Sequence, residues 1–217
     1  MTASTIRNRV GLRAVWSNGL LGLLACVLVA CGGASSGTSG YEQEVMQERV
    51  QRDMQMRDKE SSVLPPDRQS AFRGLDHYPV DTTFRYVGEL QRRSSPDTVW
   101  IPESTGDVTA QLRVGRVSVP LPEGEHELVV FRGTSDDPRG RLWLPFADDT
   151  NADSTYKAGR YVDVTRTEGD SVVVDFNRAY NPTCTYNPEF ACPLPPSENR
   201  LDEPVPAGEK RPQFSDT

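Results

Sequence analysis

The sequence predicts a mainly β protein, an antiparallel sandwich or barrel-like domain with one N-terminal helix and a proline-rich C-terminal wrap. Apolar stretches beyond residue 75 are short and bounded by turn-forming clusters, a pattern typical of antiparallel strands. With 17 prolines, 17 glycines and a hydrophobic content of 36%, the composition favours a loop-rich β domain over a helical one. From residue 177 onward prolines recur too often for a central strand.

One helix is predicted over Tyr41–Lys59. Glu42 and Glu44 lie in its first turn and Arg57 in its last, which is the charge arrangement that the helix dipole favours. The prolines at positions 65 and 66 are expected to stop further helical structure.

Seven short strands are predicted after the helix. They are Thr83–Leu90, Thr98–Pro102, Thr109–Val119, His126–Arg132, Arg141–Pro145, Tyr161–Glu168 and Ser171–Phe176. Gly169 joins the last two as a hairpin, because glycine adopts the positive φ of a tight turn without steric cost. Aromatic residues continue beyond Asn177, so we expect the C-terminal segment to wrap around the strands rather than extend into solvent.

The first thirty residues resemble the signal peptide of a bacterial lipoprotein. Three arginines precede an apolar run at 19–30, which is too short for a comfortable transmembrane helix. The run ends in Leu-Val-Ala before Cys31, which resembles a lipobox, and a Gly/Ser-rich stretch follows. We therefore predict a signal peptide at 1–30, lipidation of Cys31, a flexible tether at 31–40 and a single β-rich domain at 41–217. An ordinary secretory signal, or lipidation at Cys26, are the alternatives.

These features predict a protein of the cell envelope that is anchored to a membrane through its N-terminal lipid. Gly32 in place of an aspartate after the cysteine resembles the enterobacterial pattern for the outer membrane, if the cell has one. Residues 1–30 contain three arginines and no acidic residue, so their removal changes the formal net charge from −7 to −10. This acidic balance argues against nucleic acid as a partner. The sequence does not identify a protein partner.

Several motifs between residues 72 and 210 occur together in one known family. They are Phe72–Leu75 with Tyr78-Pro79, Leu144–Asp148, Thr155–Tyr161, Asp175–Pro182, Cys192–Pro196, Glu198–Leu201 and Ala207–Lys210. Together they resemble domain-of-unknown-function family 1684 over roughly residues 41 to 212. The resemblance implies kinship but no particular activity, since the family has no established one.

Cys184 and Cys192 are spaced neither as a CxxC redox motif nor as a paired-CxxC zinc site. For an exported chain, a disulfide that closes this short loop is the leading interpretation. A thiolate metal site and a pair of free thiols are the alternatives. Members of the family without export signals resemble this chain in carrying the pair, which weighs against a purely extracellular disulfide.

The candidate ligand-binding residues combine charged, amide and aromatic side chains. They are Arg160, Asp175, Asn177, Arg178, Tyr180, Glu198 and Asn199. Such a set can bind a small polar ligand, because arginine forms paired hydrogen bonds with carboxylate or phosphate and asparagine can both donate and accept hydrogen bonds. The alternative is internal bracing, in which these side chains satisfy loop backbone groups. If the site exists, Arg160 and Arg178 are expected to converge on one pocket.

Three classes of function remain open from the sequence. The first is a membrane-anchored envelope lipoprotein that binds a small polar ligand or a protein partner. The second is a hydrolase-type enzyme that uses Asp175 or Glu198 as a general acid or base beside the arginines. The third is a purely structural accessory. We predict no metal and no cofactor, and we interpret His77 as a packing residue and His126 as solvated.

Overall fold

The structure is a computed structural model that describes residues 39–134 and 140–214. The predicted signal peptide, Cys31 and most of the predicted tether lie outside the described residues. Within these two ranges no helix is long and apolar enough to cross a membrane.

Six antiparallel strands form a closed barrel in which neighbours along the chain pair with each other. The strands are β1 (Arg85–Pro102), β2 (Val108–Leu121), β3 (Gly124–Gly133), β4 (Leu142–Phe146), β5 (Arg160–Arg166) and β6 (Ser171–Asp175). β6 closes the ring by pairing with the first half of β1, where Arg85 lies opposite Asp175. The prediction of a mainly β, barrel-like domain is therefore confirmed.

Alternating side chains fill the barrel. In β5, Val162 and Val164 belong to the buried core, whereas Tyr161 is half-buried and Asp163 is exposed. This period of two is the geometric consequence of a pleated strand with one face toward the core. Leu201, Val205 and Ala207 of the C-terminal segment pack into the same core, so this segment forms part of the domain's interior.

β1 differs from the prediction, because the two strands expected at 83–90 and 98–102 are one strand of 18 residues. The ladder with β2 shifts register between Arg92 and Asp97, whose partners are Gly115 and Arg113. The polar residues between them bulge out of the ladder while the chain stays extended. The polar stretch that separates the two predicted strands is therefore a bulge within β1 and not the end of a strand.

The N-terminal helix α1 spans Gly40–Arg57, with the Ser39 hydroxyl accepting from the Glu42 N–H as its N-cap. Only Val45 and Met56 of this helix are buried, so apolar packing contributes little to its docking. A second, short helix α2 (Pro66–Ala71) begins with proline in its first turn, a position at which the missing N–H costs nothing. The prediction that the two prolines stop all helical structure was wrong.

The C-terminal segment contains the predicted disulfide. Cys184 and Cys192 are bonded, with their Cα atoms 6.0 Å apart. The bridge closes a loop that contacts the end of β1, where the Leu194 N–H donates to the Pro102 carbonyl at 2.8 Å. The segment thus wraps the barrel through backbone contacts of its own.

Candidate functional site

A cleft of about 560 Å³ lies between α1 and the barrel. We call it the α1 cleft. It is lined by side chains of α1, the segment before β1, the start of β1, β5 and the turn after it, β6, and the segment that follows β6. The lining includes Tyr41, Glu44, Glu48, Arg49, Arg52, His77, Arg85, Asp163, Thr165, Thr167, Asn177, Arg178, Tyr180 and Glu209.

Arg178 bridges the barrel to α1. Its guanidinium lies 2.8 Å from Glu44, 2.6 Å from Glu48 and 2.9 Å from Asp175. Burial opposes the charged form, but the three carboxylates outweigh burial and raise the pKa of Arg178. Its charge is therefore already neutralised by the protein, and its role in the cleft is to hold the helix in place.

Asp175, at the end of β6, is almost fully buried beneath Arg178. Its carboxylate accepts from the Tyr41 hydroxyl at 2.8 Å, from Arg178 at 2.9 Å and from the Asn177 N–H at 3.1 Å. Burial, followed by the hydrogen bond to Asp175, raises the pKa of Tyr41. A buried carboxylate whose oxygens already accept from three donors is suited to a structural anchor, because its lone pairs are occupied by the protein.

Asn177 and Tyr180 line the cleft and are tied to the barrel wall. The Asn177 side chain accepts from the Asp81 N–H at 2.8 Å and donates to the Asp81 carbonyl at 2.7 Å. The Tyr180 hydroxyl donates to Asp163 at 2.9 Å. Burial, followed by the charge of Asp163, raises the pKa of Tyr180.

Arg160 does not share the cleft with Arg178, contrary to the expectation from the sequence. It is fully buried, and its guanidinium donates to Asp148 and to the Val205 carbonyl, both at 2.9 Å, and to the Ala207 carbonyl. It also lies over the Phe146 ring at 5.0 Å. These contacts brace the C-terminal segment against β5.

Asn199 and Glu198 also lie outside the cleft lining. Asn199 is fully buried; its side-chain oxygen accepts from the Val129 N–H at 2.7 Å, and its nitrogen donates to the carbonyls of Val129 at 2.9 Å and Pro145 at 2.8 Å. It thus satisfies backbone groups where the short pairing of β3 with β4 ends. Glu198 is exposed, 3.9 Å from Arg113.

Most residues that line the cleft were not predicted as site residues, among them Arg49, Arg52, His77 and Glu209. His77 and Glu209 are partners in an isolated antiparallel β-bridge. Burial, followed by the charge of Arg49, lowers the pKa of His77 to about 4. Glu209 is fully buried, and burial raises its pKa, although Asn181 donates to it at 2.8 Å.

The sequence did contain a signal for the two arginines. Val45, Arg49, Arg52 and Met56 recur at the spacing of one helical face, and the first and last of them are buried. The other apolar residues of α1, Met46, Val50 and Met54, are exposed, so the inner face combines two apolar residues with two arginines.

Comparison with known proteins places the domain in a family. A family model described as "Protein of unknown function (DUF1684)" matches residues 70–210. The chain belongs to the DUF1684 family. No curated protein matches it. The solution NMR structure of an uncharacterized protein from gene locus rrnAC0354 of Haloarcula marismortui is similar, with a TM-score of 0.62 and 31% sequence identity. The match covers 78% of this chain and 94% of that one.

The DUF1684 match covers only part of the α1 cleft. His77, Arg178 and Glu209 fall within residues 70–210, whereas α1 lies before them. The barrel side of the cleft is therefore within the family region, and the helical side is outside it.

Proposed function

We propose that this DUF1684 protein is a lipid-anchored protein of the cell envelope whose barrel domain binds a small polar ligand in the α1 cleft. The observation that carries the proposal is the convergence of guanidinium, carboxylate, amide, phenol and hydroxyl groups in one cavity of about 560 Å³. That volume is within the range of roughly 300–1,000 Å³ that small-molecule sites occupy. The lipobox-like sequence before Cys31 supports the anchor.

The binding part is tested by blocking the cleft. Thr165 is an exposed residue of β5 that lines it, and Thr165→Trp would fill it with an indole ring. A matched control is Thr98→Trp, at an exposed threonine of β1 that does not line the cleft. We expect a thermal-shift screen of polar envelope metabolites to yield ligands that bind the wild type and the control but not Thr165→Trp. Ligands that bind all three proteins equally would refute the assignment to this cleft.

The anchor is tested by Cys31→Ser. Because the thioether to diacylglycerol requires the cysteine sulfur, this variant should remain an unprocessed precursor and should incorporate no labelled fatty acid. Cys26→Ser is the control and should be processed and labelled like the wild type. Continued labelling of Cys31→Ser would move the anchor to another residue.

A second candidate, a hydrolase-type enzyme, is favoured by one observation. Glu209 is a fully buried carboxyl at the cleft whose pKa is raised by burial, the property that a general acid or base near neutral pH requires. Asp175 is saturated with donors and Glu198 lies outside the cleft lining, so neither fits that role. If the protein is an enzyme, Glu209→Gln should still bind the compounds found in the screen but should not convert them. Recovery of every bound compound unchanged from the wild type would eliminate this candidate.

A further inference from the structure

The helical wall of the α1 cleft carries two arginines three residues apart. Arg49 and Arg52 lie on the inner face of α1 between the buried Val45 and Met56. Residues at i and i+3 of a helix are surface neighbours, so both guanidinium groups project to the same part of the cleft. Both line the cavity.

Arg49 has no carboxylate partner within salt-bridge distance in the described part of the chain. Its two terminal nitrogens donate to the carbonyls of Tyr78 at 2.9 Å and Asn177 at 3.1 Å, and its Nε is buried without a hydrogen-bond partner. Burial lowers the pKa of Arg49, and the charge of Asp175, which lies beyond salt-bridge distance, opposes that shift only in part. Since arginine stays charged in proteins, the positive charge persists in the cleft.

Arg52 is only partly compensated. Its Nε lies 3.4 Å from the Glu209 carboxylate but is not aligned for a hydrogen bond. One terminal nitrogen of the guanidinium donates a long hydrogen bond, 3.4 Å, to the Asn181 carbonyl. The guanidinium also lies over the Tyr180 ring at 5.1 Å. Burial raises the pKa of Glu209, and the charge of Arg52 opposes that shift.

The other acids of the cleft are engaged elsewhere. Glu44 and Glu48 are held by Arg178, and Asp163 accepts from the Tyr180 hydroxyl. This part of the cleft therefore has two cations and one buried carboxyl, that of Glu209. A half-buried guanidinium without a counterion is costly unless an anion reaches it.

We infer that the α1 cleft binds a small oxyanion, the carboxylate or phosphate group of a soluble compound, between Arg49 and Arg52. The inference rests on the proposed function and names the chemical class of its ligand. Guanidinium groups match planar carboxylate and tetrahedral phosphate oxygens with paired N–H donors. Thr165 and Thr167, on the opposite wall of the cleft, offer hydroxyls for the remainder of the compound.

The test uses inorganic phosphate and succinate as probes, with chloride at equal ionic strength and glucose as a neutral comparison. Each is titrated into the purified protein while the Nε–Hε signals of Arg49 and Arg52 are followed by NMR. We expect both signals to shift with phosphate, with succinate, or with both, and to stay unmoved with chloride. The probe that binds more tightly identifies the oxyanion. This measurement on the wild type needs no variant to fold.

Arg49→Gln and Arg52→Gln should each weaken binding of the probe roughly tenfold or more, the effect of losing a charge-assisted hydrogen bond. Arg200→Gln is the matched control, because it removes the same charge from a residue that is 66% exposed and does not line the cleft. It should leave affinity unchanged. Arg52 has the longer protein contacts, so its variant is the safer one if Arg49→Gln folds poorly.

Two results would overturn the inference, and they differ in whether the proposed ligand-binding function is retained. If glucose or another neutral compound binds in a manner blocked by Thr165→Trp but insensitive to both arginine variants, the oxyanion assignment fails and the proposed function stands. If neither anionic nor neutral compounds perturb the cleft signals, both fail.

Discussion

Replacement of Arg160 by alanine should destabilise the domain strongly. The side chain is fully buried, and its loss would leave the Asp148 carboxylate without its cationic partner. It would also remove a donor from the backbone carbonyls of Val205, Ala207 and Glu209, of which Val205 still accepts from the Ala207 N–H. Breaking one partner of a buried pair costs about 3–5 kcal/mol. Thr150 still donates to Asp148, which places the expected loss toward the lower end of that range. For a domain of this size the melting temperature should fall by roughly 6–15 °C.

The measurement is thermal and urea-induced unfolding followed by circular dichroism and tryptophan fluorescence. Arg200→Ala is the matched control, since Arg200 is an exposed arginine whose nearest carboxylate, that of Asp202, is 4.0 Å away. It should change the free energy of unfolding by less than about 0.5 kcal/mol. The bracing role of Arg160 would be refuted if the two variants melted within a degree or two of each other.

Three further predictions follow from other parts of the fold. Gly159→Ala should destabilise the domain more than Gly106→Ala. Both glycines have φ +94°, but an added Cβ at Gly159 would lie 2.5 Å from the Phe146 carbonyl oxygen, whereas one at Gly106 would meet open space. The difference between the unfolding free energies of the two variants therefore isolates the steric cost. Reduction of the Cys184–Cys192 bridge should lower stability by about 2–3 kcal/mol, the value for so short a loop; free, alkylatable thiols in protein purified without reductant would contradict the bridge. The pKa of His77 is about 4 in the folded state, against 6.5 for an ordinary histidine. Protonation therefore favours the unfolded chain, and the free energy of unfolding should decrease as pH falls from 6.5 to 4. His77→Gln should reduce this decrease between pH 7 and 4.5 by on the order of 2 kcal/mol, and identical pH profiles of the two proteins would contradict the assignment.

Much of the barrel could be predicted from the sequence because its signals are local. The three consecutive valines of β6 are all buried, as expected for a strand covered on both faces. Gly169 takes φ +62° in the turn before this strand. The end of α1 is within two residues of the predicted one. The merging of two predicted strands into β1 could not be foreseen, because a bulge and a turn share the same polar residues.

The candidate site was less predictable because its determinants are distant in sequence. Asn177, Arg178 and Tyr180 lie together since they are nearly contiguous. Arg160 and Asn199 have the same chemistry, yet they brace backbone groups of segments 45 or more residues away. Composition does not distinguish an arginine that meets a ligand from one that meets carbonyls; only the fold does.

The polar contacts that attach α1 to the barrel also bear on ligand binding in the α1 cleft. A helix that buries only Val45 and Met56 gains little from apolar packing, so its position depends on polar contacts: Tyr41 with Asp175, Arg178 with two glutamates, and Arg49 with two carbonyls. Arg49 therefore serves both the docking of the helix and, in our inference, the ligand. An oxyanion bound to it would hold α1 against the barrel as well, because a ligand that binds only the docked arrangement stabilises that arrangement. The polar character of this interface is the property that makes the cleft suited to binding.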